Sequence, residues 1–96
     1  MKFVAVDTET HLIAPGCVAP KLVCLTEASE DGTAIYDAVD GLARFWELIT
    51  DKNVTLIGHH IFFDLCVFAA EDPELLPAIF DAIDDGRIRD TKLRQM

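Results

Sequence analysis

The sequence predicts an α/β fold built on a mixed five-stranded sheet with flanking helices. Between residues 2 and 36, short apolar runs are separated by turn residues, as in an antiparallel meander. Further along, runs with strand character alternate with segments of helical period, as in parallel sheets whose crossovers are helices. With 96 residues, 51% of them hydrophobic, the chain suits one small domain with a packed core.

The predicted meander takes up the first third of the chain. Residues 2–8 (KFVAVDT) form a strand expected to be buried on both faces. Residues 11–20 form a loop, and residues 21–27 (KLVCLTE) form the second strand. The turn at 29–32 (SEDG) leads into a third short strand at 33–36, so consecutive strands pair as hairpins.

The middle of the chain changes to helical period, with Asp40 as the expected N-cap of the first helix. Its apolar positions follow the helical spacing: Leu42, Phe45, Trp46 and Ile49. Residues 54–58 (VTLIG) then form a fourth strand, which a helix over residues 61–70 follows.

The last part of the chain predicts one more helix and one more strand. Asp72 caps this helix with Pro73 at its first position, and Gly86 ends it. Its apolar face is expected to comprise Leu76, Ile79, Phe80 and Ile83. Residues 87–91 form the fifth strand, and residues 92–96 resemble the start of a further helix that stops at Met96.

Composition favours a soluble, cytoplasmic protein. No apolar run approaches the length of a membrane span, and Asp7 and Glu9 interrupt what could pass for a signal region. The net charge of −9 argues against an autonomous DNA-binding module, unless metal ions or a local basic patch meet the phosphates. Three cysteines without a CxxC pair predict buried free thiols rather than disulfides or a zinc site: Cys17, Cys24 and Cys66.

Two carboxylates at the end of the first strand are the main functional signal. In VAVDTET (residues 4–10), Asp7 and Glu9 point to the same side of a strand because successive side chains alternate. Like charges at this spacing repel, and burial strengthens the repulsion. A divalent cation would offset that cost, although a solvated strand end would explain the pair without any ligand.

A second acidic site follows the fourth strand, in LIGHHIFFDLCVF (residues 56–68). Asp64 lies about one turn inside an otherwise apolar helix, where a carboxylate is usually hydrogen-bonded, ion-paired or bound to metal. If the first and fourth strands are parallel neighbours, Asp7, Glu9 and Asp64 lie at the same edge of the sheet. Ligand sites of open α/β sheets gather beyond the carboxyl ends of strands.

These stretches resemble the motifs of DEDD-type 3′–5′ exonucleases, in particular the proofreading domain of polymerase I-like (family A) DNA polymerases of phages or bacteria. VAVDTET resembles the first motif, IGHHIFFDLCVF the second, and IRDTKL (residues 88–93) the Asp-Thr segment that follows. The resemblance covers nearly the whole chain. It implies a ribonuclease H-like fold and two-metal hydrolysis of the 3′-terminal phosphodiesters of single-stranded DNA.

The resemblance also implies residue roles. Asp7 would bridge two Mg²⁺ or Mn²⁺ ions, Glu9 would bind the ion that activates water, and Asp64 would help hold the second ion. Residues expected to contact or orient the substrate are Thr8, Thr10, Leu12, Ile13 and His60. For Leu12 and Ile13 the alternative is a place in the loop core, and for His60, which stands where the family usually has Asn, a structural or solvent-facing role.

The family's third motif, with its last catalytic Asp, has no counterpart in this sequence. Asp90 matches the Asp-Thr segment and is not predicted to replace that ligand. We therefore expect one domain over residues 1–96 that is incomplete at its C-terminus, with its C-terminal helix truncated, and weak or inactive by itself. A polymerase domain, in the same chain or another, would supply most of the DNA-binding charge.

Two alternatives remain open from the sequence. One is a non-catalytic metal- or nucleic-acid-binding module, or a polymerase-docking module, in which the face left by the missing helix pairs with a second chain, such as a copy of this one. The other keeps the fold and changes the substrate to RNA.

Overall fold

The computed structural model describes residues 2–10 and 21–91, which form five strands and three α-helices. The strands are β1 (Lys2–Thr10), β2 (Leu22–Ser29), β3 (Gly32–Asp37), β4 (Val54–Gly58) and β5 (Ile88–Asp90). The helices are α1 (Ala38–Thr50), α2 (Ile61–Glu71) and α3 (Leu76–Asp84). The predicted loop at 11–20 and the predicted helix start at 92–96 lie outside the described residues. None of the described helices is long and apolar enough to cross a membrane.

The sheet has the predicted mixed topology, with the strand order β3-β2-β1-β4-β5. β1, β2 and β3 pair antiparallel as a meander, whereas β1, β4 and β5 run parallel. The ends of the three parallel strands therefore meet at one edge. We call this edge the carboxyl end of the sheet; it comprises residues 7–10, residues 58–60 and Asp90.

The core lies on one side of the sheet, so the expectation that the first strand is buried on both faces is wrong. Val4 and Val6 are buried, and the rings of Phe45 in α1 and Phe68 in α2 stack beside them with centroids 4.0 Å apart. On the other side, which we call the open face, Phe3 is 54% exposed. The alternation arises because only the Val4 side of β1 meets α1 and α2.

The N-cap of α1 is Asp37 and not Asp40. The Asp37 carboxylate accepts a hydrogen bond from the Asp40 backbone N–H at 2.8 Å, which is the bond that an N-cap makes to the third helical residue. β3 continues to Asp37, so the helix begins directly at Ala38 and Asp40 falls in its first turn.

The segment after α2 begins with a short 3₁₀ turn, which moves the start of the last helix. Asp72 caps the 3₁₀ turn Pro73–Leu75 by accepting from the Glu74 N–H, and α3 begins only at Leu76. Ile79 and Ala82 form the buried side of α3, and Leu75 of the 3₁₀ turn is buried beside them. Of the four residues predicted to form the apolar face of this helix, only Ile79 packs on the core. The other three are exposed: Leu76, Phe80 and Ile83.

An apolar groove lies between α2 and α3, because apolar side chains of α3 are exposed on the side that adjoins α2. Phe62 and Cys66 of α2 line it together with Leu76 and Phe80 of α3. Cys66 is a free, exposed thiol and Cys24 is half-buried, so neither is the fully buried thiol that the sequence predicted.

Candidate active site

The last residues of β1 divide their side chains between the two faces of the sheet. Asp7 and Glu9 are exposed on the open face, opposite Thr26 and Cys24 of β2, so they share one side as predicted. Thr8, between them, points to the side on which the helices pack and is half-buried. The strand thus presents two carboxylates on one side and a hydroxyl on the other.

Gly58 ends β4 where the chain has no room for a side chain. A Cβ at this position would lie 3.1 Å from the backbone oxygen of Val6 and 3.1 Å from the Cβ of Ile61. Because glycine lacks that atom, α2 can start directly beside β1. This close approach brings the first turn of α2 to the carboxyl end of the sheet.

His60 makes the turn from β4 into α2. Its backbone lies in the left-handed region, with φ 64° and ψ 42°, which is uncommon for a residue other than glycine. Its backbone N–H donates to Oδ1 of Asp90 at 3.0 Å, and its carbonyl accepts from the Phe63 N–H at 3.0 Å. His60 is exposed and therefore accessible at this end of the sheet.

Asp64 is buried one turn into α2, with a relative exposure of 5%. Thr8 donates its hydroxyl hydrogen to Oδ1 of Asp64, with the two oxygens 2.5 Å apart. The other carboxylate oxygen, Oδ2, is buried and has no hydrogen-bond partner in the described part of the chain. A buried charged oxygen without a partner is costly, so this atom is the strongest local indication of a bound cation.

Electrostatics at the site favour a positive partner for Asp64. Burial raises the pKa of the Asp64 carboxyl to about 6, against the lowering effect of the Thr8 hydrogen bond. The negative charges of Asp7 and Asp90 raise this pKa further, whereas His60 lowers it. Asp7 and Asp90 are therefore each near enough to repel Asp64, and a divalent cation would relieve that repulsion.

The predicted site residues are brought together in part. Asp7, Asp64 and His60 interact electrostatically, and Thr8 and Thr10 lie on the same end of β1. Within residues 2–10 and 21–91, no three carboxylate, histidine or cysteine side chains are arranged as a complete ion site. The predicted substrate contacts Leu12 and Ile13 lie outside the described residues.

Asp90 and Thr91 are neighbours of the site that the sequence did not assign to it. Asp90 pairs with Gly58 in the parallel ladder and accepts the His60 N–H. The Thr91 hydroxyl lies 3.5 Å from the Gly58 carbonyl oxygen and 3.5 Å from Nδ1 of His59. The local sequence offers no signal for these contacts, since they depend on the register between β4 and β5.

Comparison with known proteins gives one family. A family model described as 3′–5′ exonuclease, for the exonuclease domain of A-type DNA polymerases, matches residues 1–94. No curated protein and no solved structure gives a significant match. The family match spans every strand of the sheet and both acidic stretches.

Proposed function

Since this chain belongs to the 3′–5′ exonuclease family of A-type DNA polymerases, we propose that it removes nucleotides from the 3′ end of single-stranded DNA by two-metal hydrolysis. The family has a ribonuclease H-like α/β fold, is generally metal-dependent, and implies a DNA substrate and a polymerase context. The observation that carries the proposal is the buried Oδ2 of Asp64, which has no hydrogen-bond partner within residues 2–10 and 21–91, in a carboxyl group that the charge of Asp7 also repels.

The donor set fits Mg²⁺ or Mn²⁺, because both ions prefer hard carboxylate oxygens. We propose that Asp7 would help hold both ions, that Glu9 would help hold the ion that activates water, and that Asp64 would help hold the ion that stabilises the leaving 3′ oxygen. Bound there, the ions would lower the pKa of the attacking water and stabilise both the attacking and leaving oxygens. β1 fixes Asp7 and Glu9, and the first turn of α2 fixes Asp64.

Other residues at this end would position the reacting groups. Thr8 already donates its hydroxyl to Asp64, so we propose that it orients this carboxylate rather than the DNA. Thr10 and the exposed ring of His60 remain the described candidates for contact with the terminal nucleotide. Leu12 and Ile13 remain proposed substrate contacts on the grounds of the family resemblance.

The proposal is tested by digestion of a 5′-labelled single-stranded DNA with Mn²⁺. We expect a slow ladder that shortens from the 3′ end, because the sequence has no counterpart of the family's third motif. Asp7→Ala and Asp64→Ala should each reduce the rate at least about 100-fold, because members of such a site act as a unit. Asp81→Ala, which removes an exposed carboxylate from α3, is the matched control and should leave the rate unchanged. Cleavage no faster than the Asp7→Ala background would contradict the proposal.

A non-catalytic docking role is the second candidate. Phe3 and Ile35 on the open face are 54% and 74% exposed, as expected of a surface that another domain or a second copy covers. This role predicts no cleavage, but association with a polymerase domain or self-association, measurable by analytical ultracentrifugation. An RNA strand of the same sequence in the digestion assay tests the alternative of an RNase-type substrate.

A further inference from the structure

We infer that Asp90 is a positioning residue whose carboxylate holds the turn that places Asp64 in the cation site. The inference rests on the proposed function, since it assigns Asp90 a role in that site. Asp90 itself is not assigned as a ligand.

The contact joins two strands of the sheet. Asp90 pairs with Gly58 in the parallel ladder between β4 and β5, which fixes its backbone beside the end of β4. From there Oδ1 of Asp90 reaches the backbone N–H of His60 at 3.0 Å. A hydrogen bond donated to an ionised acceptor is stronger than one to a neutral acceptor, so this bond is a firm link between β5 and the start of α2.

The turn at His60 needs such a link because it is unfavourable by itself. A left-handed backbone costs a non-glycine residue about 1 kcal/mol or more. The His60 side chain makes no capping hydrogen bond to α2. In a capping box, a Glu or Gln three residues into the helix accepts the N–H of the N-cap residue, but that position is Phe63 in this chain. Asp90 supplies the missing acceptor from another strand.

The position of Asp64 follows from this turn. α2 begins at Ile61, and Asp64 lies in its first turn, where any rotation of the helix start moves the carboxylate directly. The Thr8 bond to Oδ1 and the close packing at Gly58 hold the same turn from the side of β1. Asp90 holds it from the side of β5, so that the Asp64 carboxylate keeps its place at the carboxyl end of the sheet.

Two substitutions separate the hydrogen bond from the charge. Asp90→Ala removes both, whereas Asp90→Asn removes the charge and keeps an oxygen that can accept the His60 N–H. Asp31→Ala, an exposed carboxylate in the β2–β3 turn, controls for the loss of one negative charge elsewhere. Mn²⁺ affinity measured by calorimetry and hydrogen exchange of the His60 amide measured by NMR are the two readouts.

We expect Asp90→Ala to weaken Mn²⁺ binding about tenfold, the usual effect of losing a group that orients a ligand, and to speed exchange at His60. Asp90→Asn and Asp31→Ala should stay within about threefold of the wild-type affinity by the same reasoning. Equal weakening by Ala and Asn would overturn the inference in favour of a charge effect. Unchanged affinity and exchange in Asp90→Ala would also overturn it.

The two proposals can fail separately. If the wild-type chain binds no Mn²⁺ in an Asp7-dependent way, the proposed function fails, and exchange at His60 in Asp90→Ala then decides the positioning role alone. If Asp90→Ala does not fold, Asp90→Asn decides it: native Mn²⁺ affinity and native exchange at His60 support the inference, and loss of either overturns it.

Discussion

Carboxylates at the two ends of the parallel strands β1, β4 and β5 have opposite surroundings. At the amino end, Lys2 binds Asp31 at 2.5 Å and Lys52 binds Asp85 at 2.8 Å. These hydrogen bonds lower the pKa of both aspartates. At the carboxyl end, burial raises the pKa of Asp64 to about 6, and its Oδ2 has no partner among the described residues.

The difference indicates which end is organised for stability and which for binding. Pairing with lysine fixes the charge state of the amino-end carboxylates without any ligand. At the carboxyl end, the carboxylates of Asp7 and Asp90 each repel that of Asp64 in the folded chain. A buried carboxylate with a strongly perturbed pKa, such as that of Asp64, is typical of functional sites. The fold therefore carries an energetic cost at this end that a bound cation would offset.

Removing Arg87 should have the largest effect, and it acts at the amino end. Arg87 is 3% exposed and donates to the carbonyl oxygens of Ile49 at 3.1 Å and Asp51 at 2.9 Å. These carbonyls belong to the end of α1, whose last turn contains no basic residue. Arg87→Ala leaves them unsatisfied and should lower the free energy of unfolding by about 3 kcal/mol. Urea unfolding measures the change.

Arg87→Lys is the matched control, because a lysine keeps the charge but reaches fewer carbonyls. It should retain part of the lost stability. If the free energy of unfolding of Arg87→Ala lies within about 0.5 kcal/mol of the wild-type value, the bonds from Arg87 to these carbonyls do not stabilise the amino end.

Substitution of Asp64 should have a smaller effect on stability, in the opposite direction. Asp64→Asn keeps an acceptor for Thr8 and removes the buried charge, so above pH 7 and without metal it should raise the free energy of unfolding by about 1 kcal/mol. The folded pKa of about 6 lies above the ordinary value of 3.8. The stability that the Asp64 carboxyl contributes is therefore present below pH 4 and lost as the pH rises through 6.

Unfolding of both proteins at several pH values between 4 and 8 measures this effect, which should grow with pH. The contribution of Glu27 to stability has the opposite pH dependence, because its hydrogen bond with Arg44 lowers its pKa. Its contribution to stability is present at neutral pH and is lost as the pH falls through its lowered folded pKa. With Mn²⁺ at 100 times its Kd, the wild type should gain about 2.7 kcal/mol and Asp64→Asn should not. A pH-independent difference between the two proteins would contradict the raised pKa.

The fold could be predicted because its signals are local. The apolar run in β1 and the helical spacing in α1 indicate their elements without knowledge of the rest of the chain. The predictions were wrong where contacts with residues distant in sequence determine the structure. Whether Phe3 is buried depends on what covers the open face, and the choice between Asp37 and Asp40 as N-cap depends on how far β3 continues along β2.

The candidate site could be predicted only as far as residue types reveal it. Asp7, Glu9 and Asp64 stand out as acids after buried strands. The contact between Thr8 and Asp64 joins residues 56 positions apart, and the contact between His60 and Asp90 joins residues 30 positions apart. Such pairs follow from strand register and from the close approach at Gly58, which a sequence pattern does not specify.

The smallest effect is expected from Asp31→Ala at the amino end. The side chain of Asp31 is 71% exposed and that of its partner Lys2 is 36% exposed, so water and salt screen the pair. The midpoint of thermal unfolding should change by less than about 2 °C. Asp7→Ala removes the same charge at the carboxyl end and should raise the midpoint of the metal-free protein, because it relieves repulsion with Asp64. If both substitutions lower the midpoint equally, the two ends do not differ in electrostatic cost, and the case for a cation at the carboxyl end would rest on the geometry of Asp64 alone.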